Sequence, residues 1–396
     1  MELKMIQAMD AYYPHVDGVV NVVDNYARTF TKMGDDCTVY VPDCGKYDDA
    51  LLPYRILRCK ATATGKELHL PRPELSPGVR RQLLESGADI IHSHTPFMMG
   101  RSAYRLAKRL DIPFVTTFHS KYYDDFLAYT GSERFARFGL RYILELYNKA
   151  DAVWAVNSAT AQTLRDYGFR GNITVMANGI HGSYPEDPQQ LIRRANSAYP
   201  LPCEGFEIIF VGQLIWQKNH RLVLDTAARL KKRGIAFSVT VAGCGDNGEE
   251  IKAYARSLGL DDRVKYLGRV TDRELLCGLY LRSKLFFFPS VYDNAPITLQ
   301  EASLNRVPAL LMQGSNASQG ITDGVNGWLC DNDPDKTADK IALIMANEEN
   351  RVRVGLEASR TVVNRWEDIM PAVKEEYIRL IKNKIRPVQD RSNRIQ

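Results

Sequence analysis

Two carboxylates eight positions apart, Asp293 and Glu301, lie in the stretch SVYDNAPITLQEAS (290–303), directly after the apolar run KLFFFPS. Asp293 and Asn294 are residue types that cap helices, and Pro296 is tolerated in a first turn, so a helix is predicted to open here with Glu301 about two turns in. Three chemistries suit this pattern. A glycosidase pair would need the two carboxylates roughly 5 to 9 Å apart across a glycosidic bond. A plain cap and a solvated acid would need nothing more. In the third, the helix mouth formed by Asn294, Ala295, Pro296, Ile297 and Thr298 holds a diphosphate, Glu301 accepts from ribose hydroxyls and Asp293 reaches a sugar hydroxyl.

Other candidate residues also follow predicted strands. In VGQLIWQKNH (211–220), Gln213 and Lys218 flank a loop before a helix starting near Asn219. A lysine there suits a pyrophosphate as a point charge beside convergent amides, and equally suits solvent. In YYPHVDGVVN (12–21), Gly18 lets the backbone turn tightly and brings helix-start amides toward an anion. His119, in TTFHSKYYDDF (116–126), stands straight after a strand. In HSHTPF (92–97), His92 and His94 are read as pointing to opposite faces, against one shared metal.

The elements that must carry these residues are short apolar runs alternating with amphipathic helical patterns. KMIQAM, CTVYVP, DIIHSH, PFVTTF, AVWAVN and ITVMAN read as strands in the first half; EIIFVG, FSVTVAG, VKYLG, KLFFFPS and VPALLM do so in the second. This alternation occurs twice, which predicts an α/β protein of two doubly wound, Rossmann-like domains with a cleft between them. The expected division is an N-terminal domain over 1–185, a Pro-rich and charged linker over 186–205, and a second domain over 206–365. An amphipathic helix within 366–396 is expected to return to the first domain and end in a basic, frayed tail.

The 396 residues carry a net charge of +5, 45% hydrophobic and 25% charged side chains, enough for two ordinary cores. No apolar run approaches the roughly 20 residues of a membrane span. The start MELKMIQAMDAYYP reads as a first strand rather than a signal peptide. Seven scattered cysteines without a CxxC pair suggest free thiols in a cytoplasmic setting. The charge is diffuse and carries no nucleic-acid recognition motif. Asp331–Asn332–Asp333 has the form of a metal-binding DxD, but its place before a helix at Pro334 favours capping. The stretch GSERFARFGLRYILELYNKA (131–150) sets Arg134, Arg137 and Arg141 among aromatic and aliphatic residues. Such a helix suits an anionic membrane surface, or packs its apolar side on a sheet and solvates its arginines.

Taken in order, VGQLIWQKN, VTVAGCGD, YLGRVTDRELLCGLY, FFFPSVYDNAPITLQEAS and GITDGVNGWL, together with YYPHVDGVVN, HSHTPF, TTFHSKYYDDF and VMANGI, resemble the family 4 retaining glycosyltransferases of GT-B fold. The resemblance covers nearly the whole chain, and the first-half pieces are closest to bacterial enzymes that glucosylate diacylglycerol. It implies a nucleoside diphosphate sugar donor (a UDP-hexose), a lipid or glycan acceptor, no cofactor and no bound metal, with work at the inner face of a membrane. It also implies roles. Gly18 and its loop approach the donor phosphate, His119 contacts the donor sugar near its reacting end, Lys218 binds the diphosphate and Glu301 the ribose. Asp293 takes the place of the first of two family glutamates separated by seven residues. Gln213 stands where the family usually has arginine and supplies no charge. A transferase for cell-surface polysaccharide, and a nucleotide-sugar-binding protein without turnover, are the alternatives.

Overall fold

The computed structural model describes residues 2–64 and 69–392, with side chains up to Lys384. The chain forms two compact units, one of Met1–Asn178 with Trp366–Gln396, the other of Gly179–Arg365.

The first unit is built on seven parallel strands: β1 (Lys4–Ala8), β2 (Asp36–Pro42), β3 (Arg55–Cys59), β4 (Ile90–Ser93), β5 (Phe114–Phe118), β6 (Ala152–Ala155) and β7 (Ile173–Val175). Their order is β3-β2-β1-β4-β5-β6-β7. The chain reverses its direction of winding between β1 and β4, where Gln7 lies opposite His92 and Ala8 opposite Ser93. At such a switch point the loops beyond the strands splay apart and leave room for a ligand. Helices α1 (Gly18–Lys32), α2 (Met98–Leu110) and α3 (Glu133–Tyr147) belong to this unit.

The second unit has six parallel strands: β8 (Phe206–Val211), β9 (Phe237–Ala242), β10 (Val264–Gly268), β11 (Leu285–Phe288), β12 (Ala309–Met312) and β13 (Trp328–Cys330). Their order is β10-β9-β8-β11-β12-β13, with the switch between β8 and β11. Both central strands are buried on both faces, so they read as continuous apolar runs, FEIIFV and LFFF. The unit's helices include α4 (Pro188–Ala198), α5 (His220–Lys232), α6 (Arg273–Arg282) and α7 (Ile297–Leu304).

The stretch read as a linker is largely helix α4. Pro188 starts it, and Asp187 caps it by accepting from the Gln190 amide at 2.9 Å. Its proline and charge are helix-start chemistry rather than linker composition. It packs so closely on α6 that a Cβ on Gly278 would lie 2.3 Å from the Leu191 carbonyl oxygen. The chain enters and leaves this unit side by side, with the Ile180 amide donating to the Asn364 carbonyl at 2.9 Å.

The last helix, α8 (Trp366–Ser392), belongs to the first unit. Trp366, Met370, Val373 and Tyr377 recur at helical spacing and are fully buried. Tyr377 stacks on Trp154 (5.4 Å between centroids) and on Phe30 (5.6 Å). Lys374 reaches both carboxylate oxygens of the buried Asp35, at 2.8 and 2.9 Å. Each large apolar side chain buried here stabilises the docked helix by about 1.5–3 kcal/mol. The tail read at the very end of the chain, 393–396, lies outside the described residues.

Candidate active site

In the second unit the candidate residues leave the sheet at its switch point. β8 ends at Val211, and the chain then crosses the loop following β9. The Gly212 amide donates to the Ala242 carbonyl (3.0 Å) and the Leu214 amide to the Cys244 carbonyl (3.1 Å). Only glycine fits at 243: φ is +145°, and a Cβ would stand 1.8 Å from the Gly212 carbonyl oxygen. This crossing fixes the short 3-10 turn Trp216–Lys218, and Asn219, in the left-handed region at φ 59°, caps α5. The buried His220 ring bonds back to the Gln213 carbonyl at 3.0 Å, and burial holds its pKa down at about 4. It is neutral at physiological pH.

Lys218 is only 8% exposed, so it is not a solvated surface lysine. Its Nζ donates to Asp293 Oδ1 at 2.7 Å and lies 5.4 Å from the Phe288 ring centroid. The other Asp293 oxygen accepts from Ser290 Oγ at 2.5 Å. An ammonium has three donors. With one spent on Asp293, Lys218 keeps donors to offer to an arriving anion.

The loop from β11 to α7 differs from the sequence reading in one respect. Neither Asp293 nor Asn294 stands at the N-cap position. Pro296 occupies the N-cap position, and its side chain makes no capping bond. Asp293 is held by Lys218, and the buried Asn294 accepts from Asn316 Nδ2 at 2.7 Å. The N-cap position in the mouth formed by Ala295, Pro296, Ile297 and Thr298 thus carries no side-chain oxygen of its own, unlike the Ser, Thr, Asp or Asn usual there.

Glu301 is not simply solvated. Its Oε1 accepts from Arg273 Nη1 (3.0 Å) and its Oε2 from Tyr280 OH (3.1 Å). Tyr280 is buried, and desolvation followed by the nearby Glu301 charge raises its phenol pKa well above the usual value. Asp293 and Glu301 therefore have separate partners, unlike the two acids of a glycosidase, which face a common bond. Gln213 points outward and is exposed. In Asp331–Asn332–Asp333, Asp333 caps the following helix by accepting from the amides of Asp335 (2.9 Å) and Lys336 (3.1 Å). Among the described residues no group of three or more His, Cys, Asp or Glu side chains is arranged to hold a metal ion.

In the first unit, α1 begins at Gly18, but the turn does not demand glycine. Its φ is not positive, and an added Cβ would meet nothing within 4 Å. Asp17 makes the turn instead, capping α1 by accepting from the Val20 amide at 2.8 Å. Burial raises the Asp17 pKa, but His15 and the Val20 amide outweigh it and the net shift is downward.

His119 follows β5 and meets His94, which follows β4; Nε2 of the first lies 3.1 Å from Nδ1 of the second. The sequence reading of His92 and His94 needs correcting. Residues two apart on a strand share a face, and the two rings lie 4.1 Å apart. Burial lowers the pKa of His119 to about 4, against the nearby Asp17, which raises it. Burial first, then the neighbouring histidines, lowers that of His94 far below the usual value.

Helix α3 resolves the two readings of the arginine-rich stretch into two faces. Ala136, Gly139, Ile143 and Leu146 are buried. Arg134, Arg137 and Arg141 face outward. With them are Phe135 (53% exposed), Phe138 (66%) and Tyr142, and Tyr129 of the preceding helix is 86% exposed. Among the described residues no helix is long and apolar enough to cross a membrane.

Comparison with known proteins agrees with this architecture. The Glycosyltransferase Family 4 model matches residues 16–183, and the Glycosyl transferases group 1 model matches 193–361. An alpha-monoglucosyldiacylglycerol synthase of Streptococcus pneumoniae is 22% identical, over 81% of this chain and 73% of that protein. A GDP-mannose-dependent alpha-mannosyltransferase of Corynebacterium glutamicum is 26% identical, over 81% and 75%. Among solved structures, Anabaena HepE in complex with UDP and glucose superposes with a TM-score of 0.76 at 17% identity, covering 95% of this chain and 99% of that one. The chain belongs to the family 4 glycosyltransferases, has the GT-B fold, and is a glycosyltransferase enzyme.

Proposed function

We propose that the protein transfers a hexose from a nucleoside diphosphate sugar, a UDP-hexose, to a lipid or lipid-linked acceptor, with retention at the anomeric carbon. The observation that carries this reading is the buried Lys218 held by Asp293 beside a helix mouth with proline at its N-cap position, with Glu301 further along the same helix. Lys218 and the first amides of α7 meet the diphosphate, Glu301 takes the ribose hydroxyls, and Asp293 reaches the sugar. For His119 and the α1 end near Gly18, the reading keeps the roles that the family resemblance implies, contact with the donor sugar and approach to its phosphate. In the step itself, the bond from the anomeric carbon to the leaving phosphate oxygen breaks. The acceptor oxygen bonds to the same face, and its proton passes to the leaving diphosphate. The protein's contribution is to stabilise the charge growing on that diphosphate and to hold the reactants in place. Release of nucleoside diphosphate from UDP- and GDP-sugars, with and without a bacterial lipid extract, tests it. Lipid-dependent release from one UDP-sugar is expected, and silence with every donor would refute it.

The lipid acceptor is favoured by α3, whose outward face mixes arginine with two exposed phenylalanines. A surface of that kind suits an anionic leaflet, by charge and shallow apolar insertion, and supports a reading in which the enzyme works peripherally at a membrane. A polysaccharide acceptor is the second reading, for which this face would have no use.

A further inference from the structure

Behind His119 runs a buried chain of side chains that the proposed reaction does not touch. His119 Nε2 meets His94 Nδ1 at 3.1 Å, and His94 Nε2 meets Gln7 Oε1 at 2.8 Å. Gln7 Nε2 donates to Tyr377 OH at 3.3 Å, and that hydroxyl lies 2.6 Å from His92 Nδ1. His92 Nε2 lies 2.7 Å from Thr117 Oγ1. Gln7, His92, His94 and Tyr377 are each fully buried. Gln7 comes from β1, His92 and His94 from β4 and its end, Thr117 and His119 from β5 and its end, and Tyr377 from the returning helix α8.

The chemistry of these atoms gives the chain a direction. A glutamine carbonyl oxygen only accepts, so His94 carries its proton on Nε2. Buried and neutral, His94 has one ring proton and offers Nδ1 as a lone pair. His119 must then place its own proton on Nε2. At the other end, the Tyr377 hydroxyl accepts from Gln7 and donates to His92 Nδ1, and His92 donates from Nε2 to Thr117. Each bond in the series is satisfied by the same polarity.

We propose that Gln7, His94 and Tyr377 are positioning residues that lock His119 in its Nε2–H form. A substrate group that meets the His119 ring at Nδ1 must then be a hydrogen-bond donor, such as a sugar hydroxyl. This rests on the proposed function for its catalytic consequence, but not for the tautomer itself. Tyr377 makes α8 part of the arrangement. Its ring is clamped between Trp154 and Phe30, so the hydroxyl cannot swing away from Gln7.

Nitrogen-15 NMR of histidine-labelled enzyme, with the His119 signals assigned by their loss in His119→Asn, reads the tautomer without any donor present. In the wild type His119 should show a protonated Nε2 and an unprotonated Nδ1. Gln7→Met is close in shape but cannot accept from His94, so it should let His119 populate the Nδ1–H form and lower kcat/KM by roughly tenfold, as for the loss of one neutral hydrogen bond to the substrate. UDP affinity should be unchanged, because Gln7 is not among the groups assigned to the diphosphate. Tyr377→Phe keeps the ring stack and should shift the tautomer in the same direction to a smaller extent, which serves should Gln7→Met fold poorly. An Nδ1–H wild type, or a wild-type tautomer in both variants, would overturn the proposal. If the tautomer shifts as expected but the wild type turns over no donor, the relay stands and the functional reading falls.

Discussion

Lys218 Nζ lies 2.7 Å from Asp293 Oδ1, joining the loop after β8 to the loop after β11 across the switch point of the second unit. Both side chains are largely shielded, with 10% and 17% of their side-chain surface exposed. A pair so placed is costly to break on one side only, because the surviving charge is left without its partner.

Removing Asp293 and removing Lys218 should therefore not have additive effects. Asp293→Asn keeps the shape but loses the charge, and should lower kcat by roughly 10- to 100-fold through loss of transition-state contacts. A cycle with Lys218→Met should show a coupling of about 1–3 kcal/mol in donor kcat/KM. Additivity within error would mean that the two residues serve separate ends.

Tyr280→Phe should act through Glu301. It removes the hydroxyl 3.1 Å from Glu301 Oε2 while keeping the buried ring. The expected result is a donor KM raised by roughly three- to tenfold with kcat nearly unchanged, as for an interaction equal in ground and transition states. Steady-state kinetics with varied donor decide it.

Gly243→Ala tests the loop crossing that sets the Lys218 turn. At φ +145°, with the Gly212 carbonyl oxygen in the way, the backbone must move. A loss of about 2–4 kcal/mol is expected, typical of strain at a position only glycine fits, with a lower Tm by differential scanning calorimetry. An unchanged Tm would mean that the crossing is loose.

The buried histidines predict acid sensitivity. His119 and His220 are held near a pKa of about 4, and His92 and His94 are shifted down as well. Unfolded, each takes a proton as pH falls through about 6.5. Between 6.5 and about 4 the unfolded state therefore binds more protons, and stability falls as pH falls. Each such group contributes at most about 1.4 kcal/mol per pH unit. Urea unfolding at pH 7.5, 6 and 5 measures the slope, which His220→Gln should reduce.

Much of this was legible in the sequence. The central strands announced themselves as apolar runs, and Lys218, Asp293, Glu301 and His119 all fall beyond strand ends. The two strands of the parallel sheets that escaped the reading, Arg55–Cys59 and Trp328–Cys330, are edge strands. An edge strand pairs on one side only and tolerates arginine or shortness, so its apolar signal fades. The partners of the site were hidden for another reason. Tyr280, Ser290, Gln7 and Tyr377 are ordinary residues in sequence and meet the site only through packing, in one case across 370 positions. The helix α4 was missed because a proline and an aspartate, a capping pair, resemble a linker when the apolar face behind them is narrow.

The most direct test of the central claim is calorimetric titration of UDP into the wild type, Lys218→Ala and Glu301→Ala. The account predicts binding to the wild type, weakened by roughly 30-fold or more without Lys218, the loss expected of a charge-assisted bond to phosphate, and by a smaller factor without Glu301. Equal affinity in all three proteins would contradict the assignment of this site to the nucleotide.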